Sequence, residues 1–144
     1  MASAKSNPKG PDEFNFATQK SDDFELMNFL LTRLEFERTF KPAQVNYGGA
    51  DTVQRSAEDQ AKYDRCWQSK HHPNKIHWAK CEQSLKRARE TWHPEHYTFI
   101  FPRDLTSKEE ATFAEKFGAA GITVDYWNAS ELLALSWAPT MASA

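Results

Sequence analysis

Apolar residues along the chain recur at three- and four-residue steps in four stretches, and alternate or run unbroken in five shorter ones. Phe24, Met27, Leu31 and Leu34 make one stripe, Ser21 can cap it, and Asp22, Asp23 and Glu25 suit the positive end of a helix dipole. This predicts a helix to about Phe40, where Lys41-Pro42 breaks it. Gln44–Tyr47 reads as a short strand and Gly48-Gly49 as a turn. Ala50–Gln54 and Tyr63–Lys70 are two further strands, with the polar stretch Ser56–Gln60 as the hairpin loop between them. His71-His72-Pro73-Asn74 ends the third strand and opens a second helix, striped by Trp78, Cys81, Leu85, Ala88 and Trp92 and stopped by Pro94. The unbroken run Tyr97–Phe101 predicts a central strand covered on both faces. Thr106 or Ser107 caps a third helix with Phe113 and Phe117 inward, Ile122–Trp127 is a last strand, and a short helix with Leu132, Leu133 and Leu135 starts near Ser130. The order αβββαβαβα predicts an α/β fold, a mixed sheet flanked by helices in three α/β/α layers. Residues 1–13, without periodicity, predict a disordered lead-in, 14–136 one domain, and 137–144 an exposed tail.

Side chains of a strand alternate between its faces, so Cys66, Gln68 and Lys70 share one side while Trp67 and Ser69 point the other way. Gly48-Gly49 releases the chain into the strand that begins near Asp51. If the two runs pair as a hairpin, the Asp51 carboxylate, the Gln68 amide and the Lys70 ammonium converge. Magnesium prefers hard oxygen ligands and keeps several waters, so one carboxylate, an amide or main-chain oxygen and a substrate phosphate are a sufficient shell. Taken singly, Asp51 reads better as a capping or turn carboxylate and Glu25 is a commonplace first-turn helix acid; the combined pattern reverses the reading of Asp51.

Charge adds a second signal. The formal net charge is −2, yet Lys62–Arg103 holds nine Lys/Arg against four acids and all five histidines. A cationic middle is what a phosphate backbone requires, and His71, His72, Lys75, Lys80, Lys86 and Arg87 are its candidate contacts; a solvated helix face accounts for Lys86, Arg87 and Arg89 as readily. No apolar run approaches the roughly 20 residues needed to cross a bilayer, and the N-terminus lacks the apolar centre of a signal peptide, so a cytoplasmic protein without membrane partners is expected. Cys66 and Cys81 are too few for a disulfide framework. With His71 and His77 they form a Cys/His series that invites a zinc-binding reading, although there is no Cys-x2-Cys pair and Cys81 lies on an apolar stripe. Neither cysteine has a setting that would activate a nucleophile.

From about Phe16 to Leu135 the chain resembles the Mrr-like branch of the PD-(D/E)XK restriction-endonuclease superfamily. Asp22-Asp23-Phe24-Glu25 is similar to that family's opening helix, Gly48-Gly49-Ala50-Asp51 to its Gly-rich acidic turn, and Trp67-Gln68-Ser69-Lys70 to its Gln-x-Lys strand. Trp78–Ala88, Tyr97–Thr106 and Asp125–Leu132 resemble the segments that follow the site in nuclease domains attached to bacterial anti-phage NTPases. The resemblance implies a restriction-endonuclease-like fold and a Mg²⁺-dependent DNA endonuclease, with Mn²⁺ able to substitute, serving anti-phage defence or restriction. It implies Asp51 as main metal ligand, Gln68 as second ligand or orienter of the metal's water, Lys70 as the group at the attacking water, and Glu25 as the completion of the acidic cluster. DNA, a second copy of the chain and an attached NTPase or sensor module are the implied partners. Two departures stand out: Gln68 occupies the place of the usual acid of Glu-x-Lys, and Asp51-Thr52-Val53 stands where the branch often has Asp-Gly-Gly or Asp-Gly-Ile. A descendant that kept the fold and basic surface as a non-catalytic DNA- or protein-binding module is the alternative that Gln68 supports.

Overall fold

Five strands form one mixed sheet in the order β1 (Ala43–Tyr47), β2 (Ala50–Arg55), β3 (Tyr63–Ser69), β4 (His96–Ile100) and β5 (Thr123–Trp127). The computed structural model describes residues 15–35, 43–56, 58–59 and 62–134. The expected lead-in at 1–13, the last part of the first helix at 36–40 and the tail at 137–144 lie outside them. β1, β2 and β3 are antiparallel neighbours, whereas β3, β4 and β5 run parallel and are joined by helices α2 (Trp78–Thr91) and α3 (Ser107–Phe117). That switch follows from connection length, because a tight turn can join only antiparallel strands and a parallel pair needs a crossover of a dozen residues or more. β3 is therefore the middle strand, and the apolar β4 is internal beside it rather than central.

Alternation along the strands separates two cores. Val53, Cys66, Tyr97 and Phe99 pack with Cys81, Leu85 and Ala88 of α2 and Phe113 and Phe117 of α3. Trp67, Ile100 and Trp127, one step out of phase, pack with Phe24 and Leu31 of α1 (Ser21–Glu35) and Leu132 of α4 (129–134). The result is a three-layer α/β/α fold. Each fully buried side chain of this size contributes roughly 1.5–3 kcal/mol by leaving water, and the sheet holds such residues on both faces. Among the described residues no helix is long and apolar enough to cross a membrane.

The helix boundaries show where local signals win and where they lose. Thr106 caps α3 in a reciprocal box, its hydroxyl accepting from the Glu109 N–H while the Glu109 carboxylate accepts from the Thr106 N–H. By contrast α2 begins at Trp78, not at 71–74. The Arg103 guanidinium explains the delay: it donates to the Pro73 carbonyl at 3.0 Å and the Asn74 carbonyl at 2.9 Å while its other edge grips both Glu109 oxygens. Carbonyls held this way are withdrawn from helical hydrogen bonding, and Ile76 is anchored in the core as the chain passes.

Candidate active site

The cleft starts from the Gly48-Gly49 turn between β1 and β2. Both glycines have positive φ, 63° and 74°, a region other residues enter at a cost. Gly49 is required for a second reason: a Cβ there would lie 2.1 Å from the Ser84 carbonyl oxygen and 2.8 Å from the Ala88 nitrogen of α2. The turn is thus pressed against the helix. On its other side the Tyr97 hydroxyl, from β4, donates to the Gly49 carbonyl at 2.5 Å. Turn, helix and strand together fix the height at which Asp51 leaves the turn.

Pairing of Thr52 with Trp67 and Val53 with Cys66, continued by one step, sets Asp51 opposite Gln68 on the same face. Asp51 is buried, and its Oδ2 accepts the Ser69 backbone N–H at 2.7 Å. Burial raises the carboxyl above its usual range, opposed by that N–H and by the Lys70 charge. Gln68 makes only a long contact of its Nε2 with the Ser69 carbonyl, 3.4 Å, which leaves its amide oxygen without a donor among the described residues. Lys70 stands one residue past the end of β3, but its N–H still donates to the Ile100 carbonyl at 2.8 Å, so the parallel ladder holds its backbone. Its Nζ donates to the Ser84 hydroxyl at 2.6 Å. Burial lowers the Lys70 ammonium, and the Lys80 and Arg87 charges push the same way against Cys81 and Asp51.

Asp51, Gln68, Lys70, Ser84 and Arg87 line one cleft of about 380 Å³, floored by the glycine turn. Glu25 lies outside that lining, on α1, yet within electrostatic reach: burial first, then the Asp51 and Asp22 charges, raise its carboxyl, and Lys70 lowers it. Of the six candidate phosphate contacts, Arg87 alone lines the cleft. Lys80 and Lys75 are exposed. Lys86, one residue and about 100° of helix from Arg87, lines a different cavity between α2 and α3 with Glu82, Leu85 and Phe117. His71 is turned to the other layer, its Nε2 3.3 Å from the Phe16 carbonyl oxygen and its ring against Phe24. His72 accepts the His77 N–H through Nδ1, and burial with neighbouring positive groups lowers it to about 4.

The Cys66/His71/His77/Cys81 reading is not supported by the geometry. Among the described residues no three His, Cys, Asp or Glu side chains are grouped to hold a metal, and burial pushes the two thiols up to about 12 and about 11. Cys66 on β3 and Cys81 on α2 are buried in the same core, while His71 sits with Phe16 and Phe24. Sequence spacing brought the four near one another along the chain, but the two cysteines face the α2 layer and His71 faces the α1 layer. Two residues that no motif marked do shape the site. Ser84 reaches Lys70 from α2, and Asn28 of α1, itself buried, donates to the Ser69 hydroxyl at 2.8 Å on the opposite side of the strand from Asp51.

No family model, curated protein or solved structure matches this chain.

Proposed function

We propose that the chain is a metal-dependent DNA endonuclease of the PD-(D/E)XK type, hydrolysing phosphodiester bonds in bacterial anti-phage defence or restriction from the cytoplasm. The observation that carries the reading is the common cleft of Asp51, Gln68 and Lys70, a carboxylate, an amide and an ammonium on adjoining strand ends. The residues fit a hard divalent cation such as Mg²⁺ or Mn²⁺. Among the described residues Asp51 takes one hydrogen bond, from Ser69, and its burial leaves a carboxylate that gains from a neighbouring positive charge. Asp51 and Gln68 would hold the ion, with Glu25 adding negative potential from α1. When bound, such an ion supplies Lewis-acid polarisation of a phosphoryl oxygen and a water of lowered pKa.

The remaining chemistry belongs to the chain. Lys70 presents a fixed positive charge in a partly dry cleft, where it stabilises charge developing on a non-bridging oxygen more than it could in water. Arg87 adds a second cation on the α2 side and suits the incoming phosphate. The Ser69 N–H keeps Asp51 from rotating away. A non-catalytic binding module is the second reading, favoured by Gln68 in place of an acid and by the absence, among the described residues, of a three-ligand group.

Plasmid cleavage decides between them. Wild type is expected to nick or cut plasmid with Mg²⁺ or Mn²⁺ and to stop with chelator, and Lys70→Ala is expected to lose roughly a hundredfold or more in turnover while still binding DNA. Cutting that ignores chelator, or that persists undiminished in Lys70→Ala, overturns the nuclease reading.

A further inference from the structure

We infer that Ser84 is the positioning residue for Lys70, holding its ammonium over the cleft from the facing helix. The inference rests on the nuclease reading for its catalytic meaning and on geometry alone for the contact itself. Lysine is a point charge on a four-carbon stem with about 2 kcal/mol of rotamer entropy, so an unheld ammonium at a strand end samples many places. Here three constraints converge. The Lys70 backbone is fixed by its hydrogen bond to Ile100, its Nζ donates to Ser84 Oγ at 2.6 Å, and Ser84 is itself fixed because its carbonyl abuts the Gly49 turn. The turn that aims Asp51 and the hydroxyl that aims Lys70 are therefore parts of one contact between α2 and β2. Lys70, just past the end of β3, and Ser84 of α2, fourteen positions on, are thereby held together beside the carboxylate.

The hydroxyl also retains its own proton when it accepts from an ammonium. That proton can be donated onward, to a phosphate oxygen or a water in the cleft, so the pair offers two adjacent donors to one anion. Alanine at this position keeps the helix, since it is the best helix former, and removes only the oxygen. Threonine restores the oxygen.

The experiment measures Ser84→Ala and Ser84→Thr in two ways. Single-turnover cleavage of plasmid with Mg²⁺ is expected to fall roughly tenfold in Ser84→Ala, with DNA affinity unchanged, and to return to within about twofold in Ser84→Thr. Nitrogen-15 relaxation of the Lys70 ammonium in metal-free protein is expected to report a held group in wild type and in Ser84→Thr, and a freely rotating one in Ser84→Ala. An ammonium equally mobile in wild type and Ser84→Ala overturns the inference, as does Ser84→Ala cleaving at the wild-type rate. If wild type cuts nothing with any divalent ion, the nuclease reading fails, and the relaxation of Lys70 alone decides whether Ser84 holds it.

Discussion

The Asp51 carboxylate accepts the backbone N–H of Ser69 at 2.7 Å, while the Ser69 hydroxyl, on the opposite face of β3, accepts from Asn28 of α1. One residue thus ties the carboxylate to the layer behind the sheet. Burial makes the charged form of Asp51 costly, so its carboxyl titrates higher in the folded chain than in the unfolded one. A group shifted in that direction leaves stability intact at low pH and removes it as pH rises through the folded value. In chelator at neutral pH, Asp51→Asn, which keeps an oxygen for the Ser69 N–H, is expected to be more stable than wild type by about 1 kcal/mol, a gain that vanishes in acid. Mg²⁺ at a hundred times its dissociation constant is expected to stabilise wild type by about 2.7 kcal/mol and to leave Asp51→Asn unmoved. Thermal melts with and without the ion test both; an Asp51→Asn protein that melts lower than wild type in chelator overturns the argument from burial.

Gly49 carries a tighter constraint than its turn conformation alone. Its φ of 74° disfavours any side chain, and a Cβ would collide with the Ser84 carbonyl and the Ala88 nitrogen. Both contacts are backbone, so neither can swing aside. Gly49→Ala is expected to cost roughly 2–4 kcal/mol in urea unfolding, and any folded fraction is expected to lose cleavage because α2 and β2 are forced apart. Gly121→Ala, whose nearest neighbour is the flexible end of Arg89, tests the contrast and is expected to cost less.

Local signals carried the fold far. The alternation in Cys66-Trp67-Gln68-Ser69-Lys70 set which side chains share a face, the stripe of Phe24 and Leu31 marked the inner side of α1, and the run at Tyr97–Phe101 marked a strand buried on both faces. Asp51, Gln68 and Lys70 met as their strand phases require. What local signals lack is the reach of contacts between distant segments. Arg103 delays the start of α2 through carbonyls about thirty positions away, and nothing in the 71–77 stretch announces it. Ser84 looks like any polar residue on the outer side of a helix until the Gly49 turn docks beside it. Asn28 and Thr32 interrupt the stripe of α1 with buried polar groups, because Asn28 finds Ser69 across the layer and Thr32 bonds the Phe29 carbonyl within its own helix. Lys86 and Arg87 were one basic patch in the sequence; helical geometry splits them between two cavities.

That split is measurable in DNA binding. Each phosphate contact contributes about −0.9 to the slope of log affinity against log salt. Arg87→Ala is expected to flatten the slope by about one such contact, whereas Lys86→Ala, facing the cavity between α2 and α3, is expected to leave it unchanged. His72, held near 4 by burial and its positive neighbours, carries no charge at neutral pH. Replacing it with Gln is therefore expected to leave DNA affinity the same at pH 6 and pH 8. Fluorescence anisotropy with a labelled duplex at several salt concentrations tests all three variants, and an equal loss of slope in Lys86→Ala and Arg87→Ala would argue for one continuous basic face.

Gln68 is where the ion's affinity is most open to change. It faces Asp51 across the β2–β3 pair and lines the same cleft, but its amide brings a dipole where an acid would bring a full charge. Gln68→Glu is expected to tighten Mg²⁺ binding roughly tenfold or more, since each added carboxylate raises the charge that a hard cation meets. The same change sets a half-buried carboxylate beside the buried one of Asp51, so the metal-free variant is expected to be less stable than wild type, increasingly so as pH rises and both ionise. Calorimetric titration of Mg²⁺ into the two proteins without DNA measures the first effect, and thermal melting in chelator measures the second. If Gln68→Glu binds Mg²⁺ no more tightly than wild type, position 68 does not touch the ion, and the Gln68 ligand in the proposed site is removed.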